Sequence, residues 1–166
     1  MGGRLVCNAS PLIFLAKIDR LSLLDAYDIL IPAQVEAEIV KGTKRMKPDA
    51  QRIADYLSSR GIGSVKVALL RDLPHTLGAG ERAVISLAVR EDIPRVLVDE
   101  AKARTVARFK GLEPKGTLGV LWDAYQTGLI DGVGLESAAF ELLKKGFRIK
   151  EEILVEFLKK LRSSIK

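Results

Sequence analysis

A chain of 166 residues, 48% hydrophobic and 29% charged, holds enough apolar material for one folded core and too much for a disordered segment. Its 27 lysines and arginines against 21 acids give a formal charge of +6, compatible with a polyanionic partner without requiring one. The single cysteine, Cys7, excludes a disulfide framework within the chain, and no apolar run is long enough to span a bilayer. The start, Met1-Gly2-Gly3-Arg4-Leu5, lacks a basic segment followed by an apolar signal core, so a cytoplasmic protein without a membrane partner is expected.

Leu5-Val6-Cys7 reads as a first strand, and Ser10-Pro11 as the capped start of a helix with Leu12, Ile13, Leu15 and Ala16 on its apolar face. Asp19 is placed to cap a second helix carrying Leu21, Leu23 and Leu24. Ile29-Leu30-Ile31 is the next strand, closed by Pro32. A helix follows with Val35, Ile39 and Val40 inward and Gly42 near its end. Lys41, Lys44, Arg45 and Lys47 crowd into a stretch around Gly42 and Pro48 that reads as a loop. Asp49 to Ser59 is an amphipathic helix and Val65-Lys66-Val67 alternates as a strand. Gly80 to Arg90 is helical, Arg95 to Val98 a buried strand, and Ala101 to Lys110 a helix with a basic side. A connecting segment through Leu112 reaches Gly116-Thr117, and helices follow at 118–126, 135–143 and 151–161. Short apolar strands alternating with helices imply a mostly parallel sheet covered on both faces. Residues 133–166 read as a helical extension of a single domain spanning 1–166.

Chemistry in such sheets gathers beyond the carboxyl ends of the strands. Asn8 follows the first strand and Asp99 follows Val96-Leu97-Val98; Glu38 sits on the helix after Pro32, and Glu81 in the first turn after Gly78-Ala79-Gly80. Taken singly, Glu81 could serve the helix dipole, Asp99 could cap the next helix, and Glu38 could be solvated. Together they would repel, by several kcal/mol at an effective dielectric of about 20, unless a divalent cation neutralised them. Mg²⁺ and Mn²⁺ take such oxygen ligands. Ser10 and Thr117 could hold a water or a phosphate oxygen beside them, or could simply cap helices. His75 lies in an expected surface loop. Trp122, Tyr125 and Phe140 fall at helical positions as core or interface residues, and with aromatics at only 5% no base-stacking platform is visible. There is no P-loop, the glycines at 78 and 80 lack the further one a dinucleotide fingerprint needs, and phosphotransfer domains would require aspartate at Asn8.

Five stretches, in this order, resemble the PIN-domain nucleases, in particular the branch of small prokaryotic proteins related to VapC-type toxin ribonucleases. They are Val6-Cys7-Asn8-Ala9-Ser10-Pro11-Leu12-Ile13, Ile31-Pro32 through Glu38-Ile39, Leu77-Gly78-Ala79-Gly80-Glu81 through Ile85, Val96 through Arg104, and Lys115-Gly116-Thr117 through Leu121. The resemblance runs from about residue 4 to residue 160. It implies a three-layer α/β/α PIN-like fold and Mg²⁺- or Mn²⁺-dependent cleavage of RNA. The family's acid positions fall on Asn8, Glu38, Glu81 and Asp99, here the implied catalytic and metal-binding residues. Lys41, Lys44, Arg45, Lys102, Arg104 and Arg108 would guide the RNA backbone. Toxin members of the family pair with an antitoxin and are commonly homodimers. The first family position is usually aspartate. Asn8 can offer a carbonyl oxygen but no charge, which keeps open a degenerate module that binds RNA or protein without cutting.

Overall fold

A computed structural model of the chain describes residues 2–164. Five strands, β1 (Arg4–Cys7), β2 (Asp28–Pro32), β3 (Ser64–Val65), β4 (Arg95–Leu97) and β5 (Glu113–Lys115), form one sheet in the order β3-β2-β1-β4-β5. Every pairing is parallel. The helices are α1 (Ala9–Lys17), α2 (Ala33–Lys44), α3 (Pro48–Ser59), α4 (Ala79–Arg90), α5 (Ala101–Phe109), α6 (Thr117–Gln126), α7 (Gly132–Lys144) and α8 (Glu151–Ser164). They flank the sheet, giving the three-layer α/β/α arrangement that the alternating pattern implied.

Leu5, Val6 and Cys7 of β1 are all fully buried, because helices cover both faces of the sheet; a one-faced strand would alternate. Leu5 pairs with Ile29, and Val6 with both Leu30 and Val96, so β1 is the central strand. The chain adds β2 and β3 on one side of β1, then crosses to add β4 and β5 on the other. The connections after β1 and β4 therefore diverge, opening a crevice at their carboxyl ends. Asn8, one residue beyond β1, ties the two together through its N–H to the Leu97 carbonyl, at 3.0 Å.

The core cluster runs from Leu5 through Leu97 and Leu121 to Leu135, Ala138, Leu142 and Leu161, so α7 and α8 share it. Phe157 of α8 meets Trp122 edge-on with ring centroids 5.9 Å apart. Each fully buried leucine or isoleucine contributes about 1.5–3 kcal/mol through removal of its apolar surface from water. Among the described residues no helix is long and apolar enough to cross a membrane.

Several local expectations need correction. Residues 113–115, read as a connection, form β5. Glu113-Pro114-Lys115 lacks an apolar pattern, and proline is tolerated there because this is an edge strand. Lys41 and Lys44 lie in the last turn of α2 rather than in a loop. Gly42 sits inside that helix because a Cβ there would come within 2.6 Å of the Ala50 Cβ on α3. Asp19 does not cap the next helix: its φ of 55° turns the chain after α1, and Arg20 precedes a 3₁₀ helix at Leu21–Ala26. Asn8, not Ser10, occupies the position before α1, leaving Ser10 in its first turn. The third strand is only Ser64–Val65, and Val40 is 41% exposed rather than inward.

Candidate functional site

Asn8, Ser10, Glu38, Gly80, Glu81 and Glu100 line a cleft of about 250 Å³ at the crevice beside β1 and β4. Asn8 arrives from the end of β1, Glu38 from the second turn of α2, Glu81 from the first turn of α4, and Glu100 from the residue preceding α5. Gly80 leaves the space. A Cβ built on it would stand 2.7 Å from Glu38 Oε1 and 2.9 Å from Asn8 Oδ1, so the two oxygens converge on the glycine. Asn8 is only 9% exposed, and its side chain makes no cap hydrogen bond to α1.

Glu81 is divided between two tasks. Its Oε1 accepts the Gly78 N–H at 3.0 Å, capping α4 from within. Its Oε2 is buried and finds no donor among the described residues. Burial, a bridging contact with the Glu100 carboxyl and the charges of Glu100 and Glu38 push its pKa up to about 7, against the pull of the Gly78 N–H. Glu38 is also raised, by desolvation against the attraction of Lys41. Crowded, partly buried carboxylates resist ionisation, and a divalent cation between them would remove that cost.

Asp99 stands apart from this group. Its two oxygens accept the Thr117 N–H and the Thr117 hydroxyl, both at 2.7 Å. Thr117 is completely buried at the start of α6. Hydrogen bonds to a charged group contribute about 1.5–3 kcal/mol each. Burial raises the Asp99 pKa even so, with Thr117 and Arg104 opposing the shift. Of the polar residues expected beside the acids, Ser10 lines the cleft and Thr117 holds Asp99. Among the described residues, no three acidic, histidine or cysteine side chains already close on one point as a metal cage. The donor set of two or three carboxylates and one amide carbonyl still matches the oxygen preference of Mg²⁺ or Mn²⁺, ions that keep several waters of their own.

Beyond Glu100, a groove of about 1040 Å³ runs along β5, α5, α6 and the link between α7 and α8. Arg104, Arg108, Arg148 and Lys150 line it, and none of the four forms an ion pair among the described residues. Lys115 also lines it but is paired with Asp123. Of the cations expected to guide RNA, Arg104 and Arg108 are on this groove. Lys102 is exposed elsewhere on α5, and Lys41, Lys44 and Arg45 are exposed at the end of α2. Arg148, Lys150 and Glu100 escaped the sequence reading. His75 is exposed and Cys7 is buried.

An all-parallel sheet with an acidic crevice at its topological switch point defines a class of α/β proteins that handle ligands beyond the strand ends. A family model described as a PIN domain matches residues 4–163, and the chain belongs to that family. No curated protein and no solved structure matches it. PIN domains are nuclease-type proteins that generally use divalent metal ions and act on RNA.

Proposed function

We propose that the protein is a metal-dependent endoribonuclease. The observation that supports this most is the convergence of Asn8 Oδ1 and Glu38 Oε1 on Gly80, beside the undonated Oε2 of Glu81. Asn8, Glu38, Glu81 and a carboxylate from the Asp99-Glu100 step would hold Mg²⁺ or Mn²⁺. Bound there, the ion supplies charge compensation and activation of water for attack on a phosphodiester. The chain's own contributions are separate. The α4 start fixes Glu81, Gly80 keeps the cleft open, and Ser10 offers a hydroxyl to a phosphate oxygen. Arg104, Arg108, Arg148 and Lys150 draw a single-stranded RNA backbone along the groove toward Glu100.

Asn8 favours a second reading, in which the cleft lacks the charge to hold an ion and the domain binds RNA without cutting it. The Asn8→Asp variant separates the two. With single-stranded RNA and Mn²⁺, the nuclease reading expects cleavage by the wild type and at most modest acceleration by Asn8→Asp. Cleavage by Asn8→Asp alone identifies a degenerate nuclease. A toxin role extends the leading reading: expression should arrest growth, and co-expression of a short reading frame adjacent to the gene should relieve the arrest. The homodimer belongs to the same extension and is checked by the mass of the protein in solution.

A further inference from the structure

We infer that Glu100, rather than Asp99, is the carboxylate beyond β4 that faces the cleft, and that Asp99 is a positioning residue clamped by Thr117. This rests on the metal reading above and assigns its fourth ligand. The two residues are adjacent, and Glu100 has extended backbone angles, φ −68° and ψ 131°. Consecutive side chains on extended backbone tend to diverge, which favours only one of the two facing the cleft. Asp99 lines only the groove, whereas Glu100 lines the cleft with Asn8, Glu38 and Glu81.

Asp99 is already engaged. Both of its oxygens accept from Thr117, and its backbone carbonyl accepts from Arg104 at 2.8 Å. The Gly116 turn closes against it so tightly that a Cβ on Gly116 would stand 3.1 Å from Asp99 Oδ1. Turning Asp99 toward the cleft would break both Thr117 bonds and leave a buried hydroxyl without its acceptor. Glu100 has no such tie. Glu100 is exposed, receives no backbone or hydroxyl donor among the described residues, and its carboxyl meets that of Glu81 across the cleft.

Two further groups aim at the same space. Asn8 is 9% exposed and its side chain makes no cap hydrogen bond to α1, and Glu81 Oε2 is buried without a donor among the described residues. Asp99 thus acts through the backbone: by tying the end of β4 to the start of α6, it fixes the direction in which the next residue leaves the sheet.

Calorimetric titration with Mn²⁺ and metal-free melting of the wild type, Glu100→Gln, Asp99→Asn, Thr117→Val and the Asp99→Asn/Thr117→Val pair test this. Glu100→Gln should weaken Mn²⁺ binding by about 10–100-fold without lowering the metal-free Tm, and Glu100→Asp should restore part of the affinity. Asp99→Asn and Thr117→Val should each lower the metal-free Tm. Their smaller losses of affinity should match one another and not add in the pair, as expected for two ends of one contact. The inference is overturned if Asp99→Asn loses affinity that Thr117→Val retains. It is overturned equally if binding disappears in Glu38→Gln and Glu81→Gln but survives in Glu100→Gln, an outcome that leaves the metal reading standing. A wild type that binds no Mn²⁺ removes both.

Discussion

The cleft and the groove meet at Glu100, which lines both, yet they are built on opposite plans. The cleft is small and acidic. Its residues come from strand ends and the first two turns of helices at the centre of the sheet, where backbone hydrogen bonding fixes direction. The groove is about four times larger, lies at the sheet edge and, besides its acids, is lined by cations on α5 and on the α7–α8 link that form no ion pair among the described residues. On the proposed function, chemistry that depends on sub-ångström placement would fall to the rigid centre, and holding a flexible polyanion, which needs only a field, would fall to the rim.

The contrast predicts different failures on the two sides. Glu81→Gln should produce the largest effect, lowering kcat for RNA cleavage by about 10²-fold or more while RNA binding is retained; single-turnover rates and filter binding together check it. Gly80→Ala should follow. Its methyl group would stand where the Glu38 and Asn8 oxygens now converge, and Mn²⁺ affinity should fall about tenfold with the Tm little changed. The paired change Arg108→Ala/Arg148→Ala should act on the other side, raising KM several-fold with kcat preserved. It should also reduce the slope of log K against log salt by about 0.7 for each phosphate that is no longer neutralised.

The smallest effect is the pH dependence of the metal-free protein. The ordinary pKa of a glutamate is 4.5, and the folded protein holds Glu81 at about 7. Between those values the unfolded chain has released a proton that the folded chain retains. Stability should therefore fall as pH rises through that window and level off above it. Urea midpoints at pH 5 and pH 8 measure this, and Glu81→Gln should flatten the difference.

Much of the cleft could be read from the sequence because its residues are marked by local signals. Asn8 and Asp99 follow apolar strand-like runs, and Glu81 follows a Gly-Ala-Gly helix start. The choice between Asp99 and Glu100 could not be read that way, because two adjacent acids after a strand are equivalent until a partner captures one. That partner, Thr117, is 18 residues along the chain. The groove was hidden for a similar reason. Arg148 and Lys150 reach it only because α7 packs on α6 and returns the chain across the sheet edge. β5 was not legible from its own residues, because an edge strand containing proline carries no apolar alternation; only the resemblance of Lys115-Gly116-Thr117 to a strand-to-helix turn pointed to it.

The most direct test of the central claim is cleavage of a labelled single-stranded RNA by the wild type as Mn²⁺ is titrated, with Glu38→Gln and Glu81→Gln alongside. Cleavage that rises and saturates with Mn²⁺, stops on chelation and is lost in both variants is the predicted result. Cleavage that persists in chelator, or that both variants match, would contradict the account.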